Sequence, residues 1–297
     1  MTFYDQKTIY ERLRRYIFMM NFSLNCRGRL LDLSTPVVMG IVNLTPDSFF
    51  DGGKYQDDRS LLDRIEFLLK NGADILDIGG QSTRLGAEIV SESEEWNRIK
   101  NVIPIILKEF PKSIISVDTF YSDVAIKTAD QGASIINDIS GGTHDHKMFE
   151  TIASLKVPYI LMHIPGNTKS MHAVTENVNI VLDVWNYFDR KIAELKSMGV
   201  TQLVIDPGFG FGKTVEQNYS LLKNMHVFNN FNIPILAGIS RKSMVNKVLN
   251  IKPEDSLNGT TVLNTLALMN NASILRVHDV IEARQVITLV EQYRKVE

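Results

Sequence analysis

The chain has 297 residues, 44% of them apolar and 22% charged, with a formal net charge of −2. That balance supports one large folded unit with a sizeable core and excludes nucleic acid or an anionic membrane as a charge-driven partner. The single cysteine, Cys26, excludes an intramolecular disulfide and a zinc site built on several thiolates, and it agrees with a cytoplasmic setting.

Residues 1–35 stand apart as an N-terminal extension. Asp5, Lys7, Glu11, Arg12, Arg14 and Arg15 precede an apolar run, Tyr16 to Met20, that is too short for a secretory signal. No apolar stretch approaches the roughly 20 residues that span a bilayer. The first part reads as helical and basic, and NCRGRLLDLSTP (25–36) reads as a hairpin closing the bottom of the fold.

From residue 36 to 297, short β-rich runs alternate with amphipathic helical patterns. The runs are PVVMGIV (36–42), ADILDIG (73–79), SIISVD (113–118), ASIIND (133–138), VPYILMH (157–163), LVID (203–206), IPILAG (233–238) and ASILRVH (272–278). Their almost continuous apolar character is that of parallel strands buried on both faces. Leu61 to Lys70, Val181 to Met198, Ser256 to Asn270 and Ile281 to Tyr293 carry the helical period. Eight strand–helix repeats over this length predict a (β/α)₈ TIM barrel forming a single α/β domain, with a doubly wound open sheet as the structural alternative.

Function in such a barrel gathers at the carboxyl ends of the strands. Here all eight ends carry polar or charged residues: Asn43, Asp77, Asp118, Asn137, His163, Asp206, then Ser240 with Arg241 and Lys242, then Arg276 with His278. A single Asp or Asn there is often only a helix cap; eight together point to a site. The first loop, GIVNLTPDSFFDGG (40–53), holds Phe49 and Phe50 among turn formers, as a lid over substrate would. The second, IGGQSTRLGAE (78–88), offers Thr83 and Arg84 to a carboxylate or phosphate. DPGFGFGKT (206–214) is not a phosphate-binding P-loop, because Pro207 stands where the first glycine is needed. Phe209 and Phe211 suit stacking on a flat ring instead. Ser-Arg-Lys-Ser (240–243) turns its charges toward the barrel mouth. Alternation sets Arg276 and His278 side by side as a diphosphate clamp. His144 and His146 read as a solvated turn, so a zinc site is not expected; Mg²⁺ held mainly by a diphosphate stays open.

In order, GIVNLTPDSFFDGG, ADILDIGGQSTRLGA, SVDTF, IINDISGG, LMH, IDPGFGFGKTVEQN, LAGISRKS and ASILRVHDV resemble the successive signatures of the dihydropteroate synthase family, from about residue 36 to 280. The resemblance implies condensation of 6-hydroxymethyl-dihydropterin diphosphate with p-aminobenzoate, releasing pyrophosphate, in an enzyme inhibited by sulfonamides. It assigns Asp118, Asn137, Met162, Asp206, Phe211, Gly238 and Lys242 to the pterin. Asn43, Arg276 and His278 fall to the diphosphate, Asn43 also to Mg²⁺, and Thr83, Arg84 and Ser243 to aminobenzoate. Asp118, Lys242, Arg276 and His278 would carry the catalysis. It also implies a homodimer through the late helices. The alternatives are a methyltetrahydrofolate-binding methyltransferase, which has no use for a diphosphate clamp, and a non-catalytic pterin-binding paralogue. The chain departs from the family pattern at Leu85, where proline is usual, and at Gln81, where glutamate is frequent.

Overall fold

The structure is a computed structural model and describes residues 22–44, 56–81, 89–166, 168 and 179–296. Strands β1 (Ser23–Cys26) and β2 (Arg29–Asp32) pair antiparallel. The remaining strands are β3 (Val37–Asn43), β4 (Ile75–Gly79), β5 (Ile114–Asp118), β6 (Ile135–Asp138), β7 (Tyr159–Met162), β8 (Leu203–Asp206), β9 (Leu236–Ala237) and β10 (Ile274–Val277). These eight are parallel, in the order β8-β7-β6-β5-β4-β3-β10-β9. A parallel bridge between Ile205 and Ile235 joins the two outer strands and closes the barrel.

Helices α1 (Gln56–Lys70), α2 (Glu92–Ile99), α3 (Val102–Glu109), α4 (Ser122–Asp130), α5 (Met148–Leu155), α6 (Ile180–Ser197), α7 (Val215–Asn224), α8 (Ser243–Leu249), α9 (Leu257–Met269) and α10 (Val280–Lys295) fill the connections. Each helix lays an apolar stripe on the outward side chains of the strands. Leu76 and Ile78 of β4 and Leu275 and Val277 of β10 belong to this outer core with Ile65, Leu68, Val280 and Ile287. At about 1.5–3 kcal/mol for each fully buried aliphatic side chain, this layer dominates the stabilisation.

Alternation sends the neighbouring side chains inward. Ile75 and Ile274 join Met39, Ile135, Ile160, Val204 and Leu236 inside the barrel floor, where Leu24, Cys26, Leu31 and Leu33 of the hairpin cover them. Arg29 fastens the hairpin by donating to the carbonyls of Ser113 and Pro111 at 3.0 and 2.5 Å. Burial pushes the Cys26 thiol up to about 12, which makes it inert. With the floor filled by apolar groups, the inward positions one turn of the pleat higher carry the polar residues.

Candidate active site at the carboxyl end of the barrel

On β4 the inward positions after Ile75 are Asp77 and Gly79; on β10 the position after Ile274 is Arg276. This phase brings the charges together at the mouth. Arg276 donates from Nε to Asp77 Oδ2 at 2.6 Å and from Nη2 to Asp118 Oδ2 at 2.7 Å. Asn137 Nδ2 donates to the same Asp77 oxygen at 3.2 Å. Burial pushes the Asp118 carboxyl up, and Arg276 pulls it back down. Both carboxylates hold the guanidinium in its charged form against burial.

A second group lies across the mouth. Asp206, ending β8, accepts from the Gly208 amide at 2.7 Å. Lys242 precedes α8 and places its ammonium 4.3 Å from the centre of the Phe211 ring and 2.5 Å from the Phe209 carbonyl. A side chain at Gly238 would meet Asp206 Oδ2 at 3.8 Å and Lys242 Nζ at 3.9 Å, so this glycine leaves the space between them open. Burial lowers Lys242 to about 8, and Asp206 opposes that shift. Phe211 and Met162 pack with Phe120, Ile139 and Ile164 into an apolar wall beside these charges. An apolar wall beside a convergent set of Asp, Asn and Lys suits a planar heterocycle with a hydrogen-bonding edge.

The glycine-rich loop after β8 is shaped from within. Gly208 has φ +69, and a Cβ there would fall 2.0 Å from the His163 carbonyl. At Gly210, φ +82, a Cβ would strike the Lys242 stem at 2.9 Å. Lys213, buried, donates to the carbonyls of Gly208, Phe211 and His163 at 2.7, 3.1 and 3.3 Å and so holds the loop closed. Burial depresses its pKa to about 7. This role was invisible in the sequence, where Lys213 was only the lysine of a pattern that Pro207 excludes as a P-loop.

Three expectations are corrected. Phe209 does not face a ligand; it is fully buried in the outer core, and Phe211 alone of the pair joins the mouth. Arg241, at the same end of the barrel, bonds Asp279 at 3.0 and 2.6 Å, and its charge reaches His278. His163 is buried and directed at α6, with Nε2 3.4 Å from Asp183 and its ring edge-on to Tyr187. His144 is no solvated turn residue: it packs 4.3 Å from Phe120 and 5.0 Å from Tyr121, with Nδ1 2.6 Å from Thr168 Oγ1.

His278 lies one residue beyond β10, and its Nδ1 is 3.0 Å from Ser240 Oγ. Burial first, then the Arg276 and Arg241 charges, lower it to about 4, so it is neutral at physiological pH. Asn43 ends β3 half-buried, paired in register with Gly79. Ser243 opens α8 on the surface. Thr83, Arg84 and Leu85 in the second loop, and Phe49 and Phe50 in the first, lie outside the described residues. Among the described residues, no group of three or more His, Cys, Asp or Glu could hold a metal.

The ends of the second loop are fastened. Gln81 donates to Val90 O at 3.0 Å and to Glu95 Oε2 at 2.7 Å, and accepts from Val90 N at 3.1 Å. Tyr121 donates to Val90 O at 2.8 Å, and Arg98 donates to Gly80 O at 2.8 Å. Glu95 is fully buried, and burial raises its pKa from 4.5 to about 7 despite bonds from Thr119 and Gln81. A carboxyl whose folded pKa is raised stabilises the fold fully below its unfolded value and loses that contribution as pH rises through the folded value. Glu95→Gln is therefore expected to remove a fall in stability between about pH 4.5 and 7. Urea unfolding of both proteins at pH 5 and 8 checks this; an unchanged difference between the two pH values refutes it.

The sequence profile of pterin binding enzymes matches residues 39–278. The fold and this match define a pterin-binding enzyme. The chain is 42% identical over 273 residues to the dihydropteroate synthase of Escherichia coli K12, covering 90% of this chain and 95% of that one. The Xanthomonas albilineans dihydropteroate synthase solved with 4-aminobenzoic acid superposes with a TM-score of 0.86 at 35% identity, covering 93% of this chain and all of the other. The Yersinia pestis dihydropteroate synthase in its sulfonamide drug complex gives 0.86 at 39% identity, with 93% and 100% covered. The chain belongs to the dihydropteroate synthase family.

Proposed function

We propose that this protein joins 6-hydroxymethyl-7,8-dihydropterin diphosphate to p-aminobenzoate, giving 7,8-dihydropteroate and pyrophosphate for folate synthesis. The observation that carries the reading is the convergence of Asp206, Lys242 and Asn137 beside the Phe211–Met162 wall, with Arg276 across the mouth. The pyrimidinone edge of a pterin presents adjacent N–H donors, which an ionised Asp206 accepts. Lys242 donates to the ring carbonyl or ring nitrogen, and Asn137 completes the edge. Gly238 leaves the room for the ring.

Arg276 and His278 bind the diphosphate and stabilise the charge that develops as it leaves. Asp118 faces the pterin methyl carbon and stabilises the cation formed by dissociation; the weakly basic aromatic amine then captures it. No side-chain nucleophile takes part. Asn43 offers a carboxamide oxygen at the mouth, which suits an ion that takes few protein ligands. It would hold Mg²⁺ together with the substrate diphosphate, and that ion would supply further charge neutralisation. Thr83, Arg84 and Ser243 are assigned to aminobenzoate, the same position that a sulfonamide inhibitor takes.

Leu85→Pro is expected to tighten aminobenzoate and sulfonamide binding by about 2- to 5-fold, since a fixed φ lowers the ordering cost by roughly 0.4–1 kcal/mol. Equal sulfonamide inhibition of the two proteins would sink this. We further propose residues 36–297 as the catalytic unit, with 1–35 as an extension whose hairpin seals the floor. A homodimer through α9 and α10 is supported by the exposed Val262, Leu266 and Met269 on one and Leu289 and Tyr293 on the other. No described helix is long and apolar enough to cross a membrane. The enzyme is assigned to the cytoplasm, with the pterin diphosphate and p-aminobenzoate as its small-molecule partners. Calorimetric titration with dihydropterin diphosphate tests the site assignment. Saturable binding strengthened by Mg²⁺ supports it; no binding with or without the ion rejects it.

A further inference from the structure

Asp77 belongs to none of the roles assigned above, yet it sits at the centre of the charged network. It is fully buried, and its described side-chain partners are both site residues, Arg276 at 2.6 Å and Asn137 at 3.2 Å. Both bonds fall on Oδ2, while Oδ1 is buried with no partner among the described residues. Burying a carboxylate is costly, and where packing alone mattered an apolar residue would serve the fold better. The geometry of Arg276 shows what the carboxylate achieves. The guanidinium is held at Nε by Asp77, while Nη2 at its outer end rests on Asp118.

The proposed reaction turns Asp118 toward the pterin and Arg276 toward the diphosphate, and the Nη2 donor that rests on Asp118 reaches the diphosphate only by leaving it. The bond to Asp77 need not part. Nε lies on the stem side of the planar guanidinium, so the rigid group can pivot as a unit about a bond held there and carry its two outer nitrogens with it. We propose that Asp77 is a positioning residue for the leaving-group site: it anchors Arg276 at Nε, so that the outer nitrogens pass from Asp118 in the free protein to the diphosphate of the bound substrate. Asn137 shares the same oxygen and ties the anchor to the pterin edge. The inference rests on the reading of Arg276 as a diphosphate ligand.

The test is a double-mutant cycle of Asp77→Asn and Arg276→Ala, read by titration with three probes: pyrophosphate with Mg²⁺, dihydropterin diphosphate with Mg²⁺, and 6-hydroxymethyl-dihydropterin without a diphosphate. Asp77→Asn is expected to weaken both diphosphate ligands by roughly 10- to 100-fold, as loss of an orienting partner does. The uncharged pterin should change by no more than about twofold, and the effect should vanish in the Arg276→Ala background. Asp77→Glu keeps the charge but displaces it by a methylene; it carries the same expected selective loss and decides the matter if Asp77→Asn does not fold. Equal weakening of all three probes would mark Asp77 as merely structural and overturn the proposal, as would unchanged pyrophosphate affinity or an effect that persists without Arg276. If Arg276→Ala itself binds pyrophosphate as the parent does, the diphosphate assignment fails and the proposal falls with it.

Discussion

Arg276→Ala is expected to lower kcat by about 10²–10³-fold, the usual result of deleting one fixed donor aimed at developing charge. It should also destabilise the protein by roughly 3–5 kcal/mol, because it strips the partner from buried carboxylates. Two separate facts lead there. The guanidinium bonds Asp77 and Asp118 at once, so its removal leaves both facing each other without a cation between them. Burial already pushes the Asp118 carboxyl up, with Arg276 as the largest opposing influence. Without it, Asp118 takes up a proton more readily and loses the negative charge that the cationic intermediate needs. The variant should therefore recover part of its activity as pH is raised. Pre-steady-state turnover between pH 6 and 9, with urea unfolding in parallel, checks both halves. A variant with parental stability would mean that the bridge contributes nothing net to the fold.

Asp206→Asn is expected to weaken pterin binding by about 10²–10³-fold, since hydrogen bonds to a charged acceptor each contribute roughly 1.5–3 kcal/mol. The Gly208 amide fixes Oδ1 as an acceptor, so the new amide group must occupy the place of Oδ2. A donor would then face the pterin donors and the nearby Lys242 ammonium. Asp206 is also the main influence raising the Lys242 pKa against burial, which leaves it at about 8. Removing that anion lowers the pKa further, so Lys242 loses its proton at a lower pH and the alkaline limit of pterin binding shifts down. Titration with the pterin diphosphate from pH 6.5 to 9 measures affinity and limit together. An unshifted alkaline limit would separate Lys242 from Asp206.

The eight strands were legible because each is buried on both faces and therefore reads as an apolar run. Their lengths were not. IPILAG (233–238) reads as six residues, but the ladder strand is Leu236–Ala237 alone, with Pro234 lacking the N–H that a longer ladder needs. The convergence of Asp118, Asn137, Asp206 and Arg276 was legible from their places in the strands, because pleat and barrel together dictate where such side chains point. The direction of a residue just past a strand end is set by its helix neighbours instead. His163 turns to Asp183, and Arg241 to Asp279, through contacts that no local pattern announces. The pairing of Asp77 with Arg276 joins residues 199 positions apart. Neither residue's local sequence distinguishes a ligand for substrate from a partner for its neighbour. The Gln81 departure reads in the sequence as a loss of charge, and only the structure shows why it is accommodated: its amide joins Val90 to the buried Glu95.

The most direct test is turnover. The purified protein is incubated with 6-hydroxymethyl-dihydropterin diphosphate, p-aminobenzoate and Mg²⁺, and pyrophosphate and dihydropteroate are measured together, with aminobenzoate or the metal left out in turn. Equimolar release of both products, dependent on aminobenzoate and on Mg²⁺, is the predicted result. Pterin diphosphate that binds but yields no dihydropteroate would contradict it, leaving a pterin-binding barrel without this chemistry.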